Sequence, residues 1–395
     1  MRRMTVRRHT LNRCSALALA TLATTALGAG VCAGAASAAA RPRGDRWKPT
    51  VALVRATVGG VGIGEVGVAE ARCPGGYSVL GGSYVIGGES LFAHAAGATP
   101  IPGENLYRAI VVNPPVNPFA RVGARDATIT AAAICAEDGR PVVFDGPIGP
   151  PKHAGGDNTD PRPGLLNGNL PSTVDMRVTE ATGVQNGDVR KVDSGCSSGA
   201  LSVFSGGYTI GDSLWGHAAN AAVLSQTNDY SATLVTPPSN PSLGVFRANA
   251  SIRVLAICAT NRRPVVFNDG PMSAAAGARA AARARRAPRA PRMRGTVKLV
   301  KKQVGGIVSG SVRTVSARCP SGYSVFGGSH LIGGNSVLTH PMAAAVASKT
   351  NAYTVTVVNP PTNINAGIPR TTATLLVAAT CTRRATPLVV DGPFG

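Results

Sequence analysis

The sequence predicts an all-β protein of three tandem antiparallel β-sandwich or barrel modules, each with one internal disulfide. Three observations predict it. Cysteines recur as Cys73 with Cys135, Cys196 with Cys258 and Cys319 with Cys381, every pair 62 residues apart, and the first cysteine of each pair follows the last at intervals of 123 residues. Apolar and polar residues alternate at period two through β-branched stretches, as in Tyr353, Val355 and Val357 against Thr354 and Thr356, which is the pattern of a half-buried strand. No stretch inside the modules carries a helical period, so helices supply no layer of the fold.

In chain order, residues 1–38 read as a secretory signal peptide. Arg2, Arg3, Arg7, Arg8 and Arg13 form a basic start, residues 15–31 are apolar, and Ala36-Ser37-Ala38 is a small-x-small cleavage site. Arg7-Arg8 leaves both general and twin-arginine export open. The mature chain is therefore expected outside the cell, secreted, with no membrane span after cleavage. Removing the leader takes Cys14 and Cys32 with it and leaves six cysteines, an even number in an oxidising compartment. Local pairing within each repeat follows from the even spacing, and a metal site is disfavoured because no C-x-x-C or neighbouring histidine accompanies the cysteines.

After a polar entry at 39–49, the modules occupy residues 50–149, 173–272 and 296–395. Strands are expected at about 51–58, 66–72 and 77–86, around Tyr107, at 129–135 and, closing the module, at 141–144. In the cysteine strand Ile129, Ala131, Ala133 and Cys135 share one parity, as do Ile252, Val254, Ala256 and Cys258, and Leu375, Val377, Ala379 and Cys381, so the sulfur faces inward. Gly81-Gly82 and Gly87-Gly88 mark a bulge or positive φ, and Asn113-Pro114-Pro115 ends the tyrosine strand because proline lacks a ladder donor. Tyr107, Tyr230 and Tyr353 fall on the inward parity and read as core, as does Trp215.

The connectors differ. Residues 150–172 are a Pro/Gly-rich linker, and residues 273–295 are an Ala/Arg-rich basic linker in which prolines prevent a long helix. The whole chain holds 40 basic and 19 acidic side chains, net +21. That excess is local: residues 272–302 contain ten basic residues and no acidic one. The basic linker reads first as a solvated, protease-sensitive spacer and second as a segment that docks on nucleic acid or an anionic cell-surface polymer, and without interleaved aromatics it predicts no sequence-specific nucleic-acid readout. Both linkers read as flexible, which predicts modules that do not pack tightly on one another.

Two polar sets recur at the repeat step, Ser90, Ser213 and Ser336, and His94, His217 and His340, and a third, Asp145, Asp269 and Asp391, recurs within one residue of it. The serines and histidines are the candidate binding residues. A Ser/His/Asp set in an exported chain also raises a hydrolase, yet no G-x-S-x-G elbow surrounds the serines and no oxyanion donors are identifiable, so no enzyme, cofactor or metal is expected. Only a pseudo-threefold packing of the modules would gather the histidines into a three-nitrogen metal site.

The stretch Cys73-Pro74-Gly75-Gly76-Tyr77-Ser78-Val79-Leu80-Gly81-Gly82-Ser83, with Ala133-Ile134-Cys135-Ala136 closing the frame, resembles a repeat module of secreted proteins of GC-rich Gram-positive bacteria. Its marks are a Cys-Pro-x-Gly start, a Leu-Gly-Gly strand and an Ala-x-Cys-Ala finish. Module three repeats it as Cys319-Pro320-Ser321-Gly322-Tyr323, whereas module two departs with Cys196-Ser197-Ser198-Gly199-Ala200 and a shifted Gly206-Gly207. The resemblance implies an exported β module and brings no activity or functional residue with it. The function expected is that of a non-catalytic, multivalent binding or surface-associated protein, with carbohydrate or another cell-surface polymer as ligand.

Overall fold

A computed structural model describes residues 48–115, 125–146, 148, 173–196, 200–238, 249–267, 293–361 and 371–391. The leader with Cys14 and Cys32, nearly all of both connectors, and Asp269 lie outside the described residues. Among the described residues eighteen strands, six per module, carry the fold. Module one contributes β1 (Val51–Val61), β2 (Glu65–Arg72), β3 (Tyr77–Gly88), β4 (His94–Ile101), β5 (Leu106–Asn113) and β6 (Ala127–Glu137). Module two contributes β7 (Val174–Val184), β8 (Val189–Gly195), β9 (Leu201–Gly211), β10 (His217–Leu224), β11 (Asp229–Val235) and β12 (Ala250–Thr260). Module three contributes β13 (Val297–Val308), β14 (Ser311–Arg318), β15 (Tyr323–Gly334), β16 (His340–Ala347), β17 (Ala352–Asn359) and β18 (Thr372–Arg383).

Each module is a sandwich of two three-stranded halves, and no half is a complete sheet. The orders β1-β6-β3-β16-β17-β14, β2-β5-β4-β9-β12-β7 and β13-β18-β15-β10-β11-β8 each join a half from one module to a half from another. The seams are short antiparallel pairings: Tyr84 and Val85 with Ala344 and Ala343, Ala98 and Gly97 with Tyr208 and Thr209, and Ala221 and Asn220 with His330 and Leu331. Module one thus shares a sheet with each of the other two, and they share the third. The result is a closed pseudo-threefold ring, at odds with the loosely joined modules that the connectors predict. Residues Asp45–Gly395 accordingly form one compact unit.

The expected closing strand at 141–144 is also corrected. It pairs outside its own module through single bridges, Pro141 with Val266 and Val143 with Pro387, while Pro264 bridges Val389. Around the axis Val142 N–H donates to Val265 O at 2.9 Å, Val265 N–H to Leu388 O at 2.8 Å and Leu388 N–H to Val142 O at 2.7 Å. Gly139 to Phe267, Arg262 to Val390 and Ala385 to Phe144 form a second cyclic set. Backbone donors that a lone module would leave unpaired are satisfied only by its neighbours, which is why this segment closes a ring and adds no strand to its own sandwich.

The three disulfides, Cys73–Cys135, Cys196–Cys258 and Cys319–Cys381, form as the spacing predicts. Each joins the residue just after an edge strand of one sheet to a central strand of another, so the staples cross the sandwiches. Closing a loop of this length stabilises by roughly 4 kcal/mol in the chain-entropy account, which matters where alanine fills so much of the core. They fit an oxidising environment. No helix among the described residues is long and apolar enough to cross a membrane.

The Leu-Gly-Gly motif has a packing reason. A Cβ on Gly82 would lie 2.3 Å from the Tyr107 ring and 2.5 Å from Ala132 O, and the same holds at Gly206 against Tyr230 and at Gly328 against Tyr353. Glycine there lets the tyrosine of the facing half lie flat on the strand. Positive φ falls instead at Gly88 and Gly334, and at Asp212 in module two. Strand register shows that module two does not slide its glycine pair: Gly206 opposes Ala256 as Gly82 opposes Ala133, so Gly207 replaces Ser83. A one-residue insertion between Cys196 and Leu201 is offset by a deletion before Ser213.

Candidate functional site

His94, His217 and His340 open β4, β10 and β16, strands that no alternation in the sequence announced. Loops 89–93, 212–216 and 335–339 deliver them to the axis. Ser90 Oγ accepts from Ala93 N–H at 3.2 Å and donates to Asn113 at 2.8 Å. Ser213 Oγ accepts from Gly216 N–H at 2.9 Å, and Ser336 donates to Asn359 at 3.0 Å. All three candidate serines therefore hold the turn before a histidine.

The ring closure brings the histidines together. Their ring centroids are 5.7, 5.6 and 5.7 Å apart in edge-to-face arrangement, and each residue is at most 3% exposed. Each Nδ1 sits on the carbonyl oxygen two residues back: Phe92 at 2.9 Å, Trp215 at 3.3 Å and Leu338 at 2.8 Å. A carbonyl only accepts, so Nδ1 carries the proton and Nε2 the lone pair. All three Nε2 atoms are buried without a hydrogen-bond partner. Each ring also leans across a module boundary on the backbone preceding the next histidine, His94 on Gly216, His217 on Thr339 and His340 on Ala93. Burial pushes all three pKa values down, His217 well down and His340 to about 3. The neighbouring rings add to this for His217 and His340, and backbone carbonyls partly oppose it. Neutral rings touching by edge and face make a packing knot, and among the described residues no three ligating side chains are placed to hold a metal ion.

Asp145 and Asp391 do not join this cluster. β6 runs from the histidine end to the end where the module boundaries are hydrogen-bonded, and its 11 residues separate the two by about 35 Å. At that far end Asp145 is exposed, and Asp391 accepts from Arg262 Nε of the neighbouring module at 2.9 Å. In modules one and three the Ser/His/Asp set is thus not assembled as a relay.

What the histidine end does present is apolar and threefold. Leu91, Leu214 and Val337, from the three loops, are 36%, 40% and 44% exposed. Val66, Val189 and Val312 open the edge strands at the same end, opposite Val112, Val235 and Val358, the residues that also pair with the histidines. They are 51%, 61% and 52% exposed. Beneath them Phe92 and Trp215 pack edge to face at 6.1 Å, so Trp215 is core as its sequence position implies. Both exposed sets recur at the 123-residue step, a signal available in the sequence once exposure is known.

A second set lies deeper on the axis. Tyr84 and Tyr208 occupy equivalent places on β3 and β9, and His330 takes the third place on β15, each at a seam. With Tyr107, Tyr230 and Tyr353 they line an internal cavity of about 30 Å3. The insertion in module two and the change from tyrosine to histidine hid this set from the repeat step. No protein-family model and no curated protein matches the chain.

Proposed function

We propose that this is an exported, non-catalytic binding protein that attaches to a carbohydrate-based cell-surface polymer through the end of the ring carrying the three histidines. The observation that carries the reading is the display of six exposed aliphatic side chains, Leu91, Leu214, Val337, Val66, Val189 and Val312, at threefold-equivalent positions on one end. Isolated exposed aliphatics are ordinary, but a set that recurs in every module around one axis is a shared surface. Three equivalent patches in fixed register favour a ligand that repeats, because engaging one raises the effective concentration of the others. The histidines and serines serve this surface by fixing its loops.

The test is capture on purified wall polysaccharide at low and at high salt, comparing the natural protein with Leu91→Ser/Leu214→Ser/Val337→Ser. Salt-resistant capture, reduced at least tenfold by the substitutions, is expected. Capture that high salt abolishes equally in both proteins would assign binding to basic residues, and no capture on any wall polymer would overturn the proposal.

A further inference from the structure

Module three differs from its siblings in charge, and the difference is concentrated at the end remote from the histidines. Among its described residues nine side chains are Lys or Arg and one, Asp391, is acidic. None of the nine lies in an ion pair among the described residues, and Asp391 is taken by Arg262 of module two at 2.9 Å. Module one balances its cations within itself: Arg108 pairs with Glu70 at 2.6 Å, Arg140 with Glu137 at 2.7 Å and Arg72 with Glu104 at 3.9 Å. The excess falls at particular positions. Lys298 stands where the siblings have Ala52 and Asp175, and Arg383 where they have Glu137 and Thr260.

Strand pairing brings five exposed cations, Arg294, Lys298, Arg318, Lys349 and Arg383, to the end stapled by the Cys319–Cys381 disulfide. Lys298 on β13 pairs with Cys381 on β18. Arg383, two residues on, donates its N–H to Thr296 O at 3.0 Å and pairs with Tyr323, over whose ring Lys298 Nζ stands at 4.6 Å. Arg294 leads into β13, and Arg318 immediately precedes Cys319. Lys349 lies on the turn Ser348–Thr350, whose next residue, Asn351, accepts from Cys319 N–H at 3.0 Å. Like charges so placed repel, and a polyanion that displaces their counterions gains affinity from the release. Three of the five are guanidinium groups, which fork onto phosphate oxygens. The disulfides fit an oxidising environment, in which the phosphate chain within reach is that of a cell surface. We propose that this end of module three docks an extended phosphodiester polymer of the cell surface, independently of the aliphatic patch at the histidine end.

Poly(glycerol phosphate) is the probe, offered to the full chain at increasing salt. Saturable binding that weakens as salt rises is expected. Lys298→Ser/Arg318→Ser/Arg383→Ser should weaken it at least tenfold and lower the slope of log affinity against log salt by about 2, at ~0.7 per lost phosphate contact. Lys298→Arg/Arg318→Lys/Arg383→Lys keeps the charge and should retain the binding, which separates loss of charge from loss of fold. Leu91→Ser/Leu214→Ser/Val337→Ser should bind undiminished, so this proposal and the polysaccharide reading fail separately. Undiminished binding by the variant without the three charges would place the contact in the basic linker and overturn the proposal, as would no binding by the natural protein. Tighter binding to duplex DNA than to poly(glycerol phosphate) would assign the surface to nucleic acid and overturn it too.

Discussion

The two ends of the pseudo-threefold axis are closed by different chemistry. At one end Val142, Val265 and Leu388 pass backbone hydrogen bonds around a triangle, reinforced by the Gly139, Arg262 and Ala385 donors. At the other, three imidazole rings touch edge to face with their Nε2 atoms unpaired. Peptide groups do not titrate and depend little on the side chains that carry them; imidazoles do both. One end is therefore insensitive to medium and tolerant of sequence, and the other is conditional on pH and on three particular residues.

Acid should expose this contrast most strongly. The folded protein holds His94, His217 and His340 neutral with lowered pKa values, while the unfolded chain takes up protons near the ordinary value of about 6.5. Their stabilisation is complete above about pH 6.5 and falls as pH drops toward the folded values. Three groups acting together lose up to about 4 kcal/mol per pH unit, and His330, pushed down to about 4 by burial, adds to the slope. Among the described residues no carboxylate partners the rings: Glu89 is paired with Arg125, and Asp212 accepts from Ser251. Melting temperatures from pH 8 to pH 5 measure the effect, and His94→Asn/His217→Asn/His340→Asn should flatten the curve. A flat curve for the natural protein would remove the distinction between the ends.

Val265→Pro attacks the opposite end by deleting the donor to Leu388. It should cost about 3 kcal/mol, and by the same amount at pH 8 as at pH 6, measured by denaturant titration. A loss that grows on acidification would mean the two ends are coupled. The smallest effect is expected for Arg262→Ala, which removes the exposed bond to Asp391. Such a pair contributes at most about 1 kcal/mol, and less in high salt; a larger loss would show that side chains matter to the backbone triangle as well.

What the sequence disclosed, and what it concealed, follows the same division. Covalent and side-chain features were legible: the cysteine pairs, the inward parity of Ile129, Ala131, Ala133 and Cys135, and the burial of Tyr107, Tyr230 and Tyr353. β4 was not, because it is buried along nearly its whole length and His-Ala-Ala-Gly-Ala-Thr-Pro-Ile has no alternation to read. The closure of the ring was hidden for a deeper reason. Its seams are two residue pairs each, and its triangle is made of peptide groups, which leave no composition or period behind. The recurring histidines were visible, but their meeting depended on that closure, which the connectors argued against.

Because the third module pairs with the first as fully as with the second, none of the three described modules is terminal. A linear array can gain or lose units at its ends and needs specialised caps there; here each of the three described copies has two neighbours and needs no cap. Deleting one would open two seams at once, and inserting one would leave the triangle of Val142, Val265 and Leu388 unable to meet. Closure through shared sheets thus fixes the number of copies in this ring at three.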